Sequence, residues 1–181
     1  MSQTISDPGE LEHRALQDFR SGRFAAAIEG FRAARDLYRQ AGDGLRAAQA
    51  ANNLSVALLQ AGQGQAALQA VEDTPGIFAQ ARDQARLAEA TGNLAAAFEA
   101  VGKLDQAEDR YREAADMFLQ LRMPEAEAHT RRALSAMLLR RGRPTEATAA
   151  MERALEVDPR AGLRGRWLRK ILHALSRGTG R

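Results

Sequence analysis

The chain has 181 residues, 45% hydrophobic and 27% charged, with 5% aromatic and a formal charge of +3. That length suits one domain or one short repeat array with a sizeable core, and few large rings among many alanines suit closely packed helices. The absence of cysteine excludes disulfides, thiolate nucleophiles and cysteine metal sites, and three scattered histidines, His13, His129 and His173, argue against a histidine-rich metal centre; no metal or cofactor is expected.

Met1 to Glu10 has neither a basic flank nor an apolar run, so it does not read as a secretory leader. No window reaches the ~18 consecutive apolar residues of a membrane span, and a soluble, cytoplasmic protein is expected. Residues 1–7 are expected to be flexible. Asp7-Pro8-Gly9-Glu10 then supplies an N-cap, a proline at the first helical position and a glutamate placed to return a capping bond. The helical spacing of apolar residues predicts helices over about 8–21, 23–41, 44–61, 63–81, 84–101, 103–121, 124–141 and 143–157. Asp43 and Asp83, 40 residues apart, stand just before two of these, and Pro144 opens the last. Asp73-Thr74-Pro75-Gly76 falls inside the span 63–81, where proline removes a backbone donor and clashes with the preceding turn, so a kink or a split is expected there.

These helices recur with one phase. Gly22, Gly62, Gly102 and Gly142 are 40 residues apart; five residues on stand Ala27, Ala67, Ala107 and Ala147, and four beyond those Phe31, Val71, Tyr111 and Met151. Ala34, Ala114 and Ala154 continue the phase with Thr74 the exception, and Leu54, Leu94 and Leu134 share another column that Arg14 breaks. Glycine ends one helix and lets the chain turn sharply into the next, and the small alanine fits where two helix axes approach closely. The expectation is four antiparallel helix pairs over 8–159, divided near 8–43, 44–83, 84–123 and 124–159.

After Asp158-Pro159 an amphipathic helix over 160–176 is expected, with Leu163, Trp167, Leu168, Ile171, Leu172 and Leu175 on one arc, followed by a flexible tail at 177–181. Residues 159–181 hold seven basic residues and no acid, which leaves the rest of the chain at −4 out of the total of +3. This helix reads first as a cap on the fourth pair, since a terminal repeat needs one polar face. The alternative is a basic contact with nucleic acid or an anionic membrane.

The segments Phe24–Ala34, Leu104–Ala114 and Glu146–Pro159, the last ending in Ala-Leu-Glu-Val-Asp-Pro, resemble tetratricopeptide repeats. The 40-residue unit, with Asn52-Asn53-Leu54 and Gly92-Asn93-Leu94, is similar to the long-unit arrays of the kinesin light chain kind and of some bacterial peptide-sensing regulators. Arg14 and Asp18 depart from the pattern in the first unit and Thr74-Pro75 in the second.

The resemblance implies an all-α, right-handed solenoid whose first helices line a concave face that binds a peptide or protein segment. Residues placed on that face by phase are Glu12, His13, Leu16, Phe19 and Arg20 in the first unit, Gln49, Asn52, Asn53, Val56, Leu59 and Gln60 in the second, Glu89, Asn93, Ala96 and Glu99 in the third, and His129, Arg132, Ala136, Leu139 and Arg140 in the fourth. Amides can donate to and accept from a peptide backbone; equally, Asn53 and Asn93 could bond a neighbouring helix and fix the stacking of repeats. Arg132 and Arg140 could pair with an acidic ligand group; equally, they could be ordinary solvated charges. The lysine-rich clamp of some relatives is unmatched, with Glu12 and Leu16 where its first members would fall.

Self-association through the groove or the terminal helix is a further alternative. No nucleophile-and-base arrangement, metalloprotease motif or phosphate loop is present, and an enzyme is not expected. Asp105, Glu108, Asp109, Glu113 and Asp116, interleaved with Arg110 and Arg112, read as a solvated face with local ion pairs.

Overall fold

The structure, a computed structural model, describes residues 7–162 together with 165, 167, 168 and 172. Among these residues the chain is all helical: α1 (Pro8–Arg20), α2 (Phe24–Gln40), α3 (Gly44–Gln60), α4 (Gly64–Val71), α5 (Thr74–Gln80), α6 (Gln84–Ala100), α7 (Leu104–Gln120), α8 (Pro124–Arg140) and α9 (Pro144–Val157). None of the helices among the described residues is long and apolar enough to cross a membrane. Residues 162, 165, 167, 168 and 172 are helical, while the rest of the expected helix 160–176, the tail 177–181 and residues 1–6 lie outside the described residues. Trp167 and Leu168, placed by sequence on an apolar arc, are both exposed.

Two compact units are present, Met1–Lys103 with α1 to α6 and Leu104–Arg181 with α7 to α9. In the first, α1 packs on α2, α2 on α3, and α3 on α4, α5 and α6; in the second, α8 packs on both α7 and α9. The sequence columns are the core. Ala27, Ala67, Ala107 and Ala147 are fully buried, as are Ala34, Ala114 and Ala154; Leu54, Leu94 and Leu134 are buried, as are Phe31, Val71 and Tyr111, while Met151 of that last column is half-buried. Close approach is measurable at Gly30 of α2, where an added Cβ would lie 2.8 Å from the Ala15 Cβ of α1.

The turns repeat twice as often as the glycine column indicates. After α1, α2, α3, α5, α6, α7 and α8 the chain takes one left-handed residue, at 22, 42, 62, 82, 102, 122 and 142, each 20 residues after the last. The next N–H in each case returns to the carbonyl five residues back, as from Arg23 to Asp18 at 2.9 Å and from Met123 to Phe118 at 2.9 Å. That bond and the left-handed residue before it satisfy the last carbonyls of a helix. Five of the seven positions are glycine, but Arg82 (φ 58°) and Arg122 (φ 55°) adopt the same conformation and hide the 20-residue period from the sequence.

Three starts carry the expected aspartate caps, but the return capping bond expected of Glu10 is not made among the described residues. Asp7 Oδ1 accepts from the Gly9 N–H at 2.9 Å, and Asp43 and Asp83 accept from the Arg46 and Arg86 N–H groups at 3.0 Å each. At 63–81 the expected split occurs: α4 ends at Val71 and α5 begins at Thr74.

Candidate functional site

The first helices of the unit Met1–Lys103 are α1, α3 and α6. On α3 the residues Gln49, Asn52, Asn53, Val56 and Leu59 follow a spacing of three and four, which sets them on one helix face. Asn52 is 2% exposed, and the other four are half-buried. The Oε1 of Gln49 and the Oδ1 of Asn52 are buried and accept no hydrogen bond. Such atoms are rare in folded proteins and cost about 1–3 kcal/mol each when unsatisfied.

Asn53 is engaged differently. Its Nδ2 donates to Glu12 Oε1 of α1 at 3.1 Å, and the Tyr38 hydroxyl of α2 donates to Glu12 Oε2 at 3.4 Å. Glu12 thus ties three helices together, and Asn53 links the first two repeats. Burial, followed by the charge of Glu12, pushes the Tyr38 hydroxyl above its ordinary range, while the Arg46 guanidinium, 5.7 Å from its ring centre, opposes that shift. Phe19 of α1 stacks at a tilt on Phe24, with ring centres 5.6 Å apart, and is half-buried; Asn93 of α6 is half-buried too.

The unit Leu104–Arg181 brings together two of its four sequence-selected residues. His129 and Arg132 of α8 line a cleft of about 550 Å³ with Pro124, Glu125, Asp158 and Arg160. Arg132 pairs with Asp158, and Arg160 donates to Glu125 at 2.7 Å, so both guanidinium groups of the cleft already face a carboxylate. His129 is exposed. Leu139, 56% exposed, and Arg140 stand at the far end of α8 and do not line the cleft.

The acidic helix α7 departs from the expected solvated face at one residue. Glu108 is buried, and three arginines converge on it: Arg112 at 2.8 Å, Arg141 at 2.8 Å and Arg143 at 2.5 Å. Arg141 also donates to Asp105 at 2.6 Å, and Arg143 to Glu146 at 2.6 Å. Burial pushes the Glu108 carboxyl up, but hydrogen bonds from Arg143 and Arg112 and their charges outweigh it and hold it below the usual carboxylate range. Glu146 is held low mainly by its hydrogen bond with Arg143. Only the Arg112 contact is a local helical pair; the contacts 33 and 35 residues away are invisible to helical spacing. The remaining reading of α7 stands where it was local, as in the Arg110–Glu113 pair at 2.5 Å.

The tetratricopeptide repeat family profile matches residues 83–160. Comparison with curated protein sequences finds no match. Among solved structures, a Podosopora anserina protein with nearly identical TPR-like repeats of the kinesin light chain type superimposes with a TM-score of 0.75 at 16% identity, over 93% of this chain and 84% of that one. BtubC (BKLC) from P. vanneervenii superimposes with a TM-score of 0.74 at 22% identity, over 91% of this chain and 68% of that one. Aspartyl phosphate phosphatase F from Bacillus subtilis gives 0.77 at 11% identity, over 97% of this chain and 46% of that one. At these identities the likeness is one of fold.

Proposed function

We propose that this chain, a tetratricopeptide-repeat protein, is a binding scaffold that holds an extended segment of a partner protein along the first-helix face of its unit Met1–Lys103. Helical repeats of this family generally mediate protein–protein interaction, and stacked repeats present extended surfaces suited to it. The observation that carries the reading is the pair of buried, unpartnered oxygens on α3, Gln49 Oε1 and Asn52 Oδ1. An extended chain brings unpaired N–H groups, and a donor arriving at either oxygen removes a standing desolvation cost. Val56 and Leu59 continue the same face with half-buried apolar surface for the segment's side chains. Asn53 has a different role in this reading: it holds Glu12 and fixes the register of α1 and α3.

The test measures folding and binding on the same preparations. Peptides selected from a random displayed library against the full chain serve as the probe, titrated against wild type, Asn52→Leu and Asn53→Ala. Leucine keeps the branched shape of asparagine and carries no unsatisfied oxygen, but its methyls are bulkier, so relief of the buried oxygen and overpacking oppose each other. Asn52→Leu is expected to melt near the wild-type temperature while losing about 5-fold or more in peptide affinity, the worth of one net hydrogen bond of roughly 1 kcal/mol. Asn53→Ala is expected to melt lower. If Asn52→Leu melts early and binds the peptides as wild type does, Asn52 belongs to the core and the reading fails.

A further inference from the structure

The same face carries a third acceptor. Glu89 of α6 is exposed and makes no ion pair or hydrogen bond among the described residues, while the nearby Arg86 pairs with Asp83 at 2.6 Å. Desolvation pushes the Glu89 carboxyl above its usual range, helped by the charge of Asp83, and Arg86 only partly offsets this. Its place relative to Asn52 follows from the register of the repeats. Asn53 of α3 meets Glu12 of α1, 41 residues apart. The same register carried forward by one 40-residue unit sets Asn93 of α6 beside Asn52, and Glu89, one turn earlier, beside the turn of α3 that holds Ala48 and Gln49. The packing of α6 on α3, with Ala48 and Ala90 in one buried cluster, fits that placement.

Gln49 Oε1, Asn52 Oδ1 and the Glu89 carboxylate are all acceptors. A carboxylate or phosphate brought here would set acceptor against acceptor, whereas a guanidinium has five N–H donors in a planar fork and no acceptor. It is also more weakly hydrated than an ammonium, which favours its entry where Asn52 is 2% exposed. We propose that this face takes an arginine side chain of the bound segment, with Glu89 as its counter-charge and Gln49 and Asn52 as neutral acceptors. This rests on the peptide-binding reading above.

The experiment selects random peptides displayed on phage against the full wild-type chain and, in parallel, against Glu89→Gln. Wild type is expected to enrich peptides with arginine at one fixed position, and Glu89→Gln to lose that enrichment. A selected peptide is then titrated with its arginine replaced by citrulline, which keeps the shape and removes the charge. A charge-assisted hydrogen bond at this position predicts a loss of about 10- to 150-fold against wild type, and a much smaller one against Glu89→Gln. Selected peptides with no preferred arginine, or a citrulline effect equal in the two chains, overturn the arginine assignment while leaving peptide binding in place. A selection that returns no binding peptide at all overturns the peptide-binding reading itself.

Discussion

The Thr74 hydroxyl donates to the Val71 carbonyl at 2.9 Å. In an uninterrupted helix that carbonyl would accept from the N–H of residue 75, which is proline here and has none. Thr74 is therefore both the exception in a column of buried alanines and the residue that supplies the missing donor, in a place that is itself buried. The split between α4 and α5 is closed chemically, and the next turn still falls in phase at Arg82.

A double-mutant cycle follows from that relationship. Thr74→Val leaves the Val71 carbonyl without a donor in a buried place, at a cost of about 1–3 kcal/mol. Pro75→Ala restores an N–H, so the same Thr74→Val change made on that background should cost much less. Equal costs on the two backgrounds, measured by urea denaturation, would show that the hydroxyl does not substitute for the proline.

Arg122 is expected to be strained where glycine is not. A non-glycine residue in the left-handed region costs roughly 1–2 kcal/mol, so Arg122→Gly should stabilise the protein by up to about 1 kcal/mol once the entropy of the added glycine is set against it. Gly102→Ala, at φ 77°, should do the reverse. Thermal melting of both variants tests the shared turn: changes of the same sign would be inconsistent with it.

At Gly30 space decides the outcome. A methyl there meets the Ala15 Cβ at 2.8 Å, so Gly30→Ala should push α1 and α2 apart and cost about 1–3 kcal/mol despite the better helix propensity of alanine. Gly76 of α5 has nothing within 4 Å of an added Cβ, and Gly76→Ala should stabilise by about 0.5–1 kcal/mol. Chemical denaturation of the two variants should therefore move in opposite directions.

The Glu108 cluster makes stability depend on acid. Its carboxyl is held below the ordinary value in the folded chain, so its contribution is complete above the unfolded pKa of about 4.3 and is lost as pH falls through the lower folded value. Glu108→Gln removes that contribution. With Arg112, Arg141 and Arg143 partly open to water, the loss at neutral pH should be about 1–3 kcal/mol rather than the larger cost of breaking a fully buried pair. Unfolding curves below pH ~4.5 should then be less steeply acid-dependent in the variant than in wild type; identical slopes would mean the cluster is not what titrates.

The helices, their starts and the 40-residue repeat were legible in the sequence because each depends on neighbours within one or two turns. Asp43 and Asp83 cap with their own side chains, and Ala27 and Ala107 mark helix contacts because a methyl is what fits there. The 20-residue turn period was hidden only by Arg82 and Arg122, whose side chains give no sign of a left-handed backbone. Which polar residues remain available on the helix faces was settled by tertiary packing. Asn53 and Asn52 are adjacent amides in the sequence, yet one is held by Glu12 from 41 residues away and the other is buried with a free oxygen. Arg132 and Glu108, both legible as surface charges, are neutralised by partners 26 to 35 residues distant, because helices packed side by side bring into contact charges that the spacing within any single helix keeps apart.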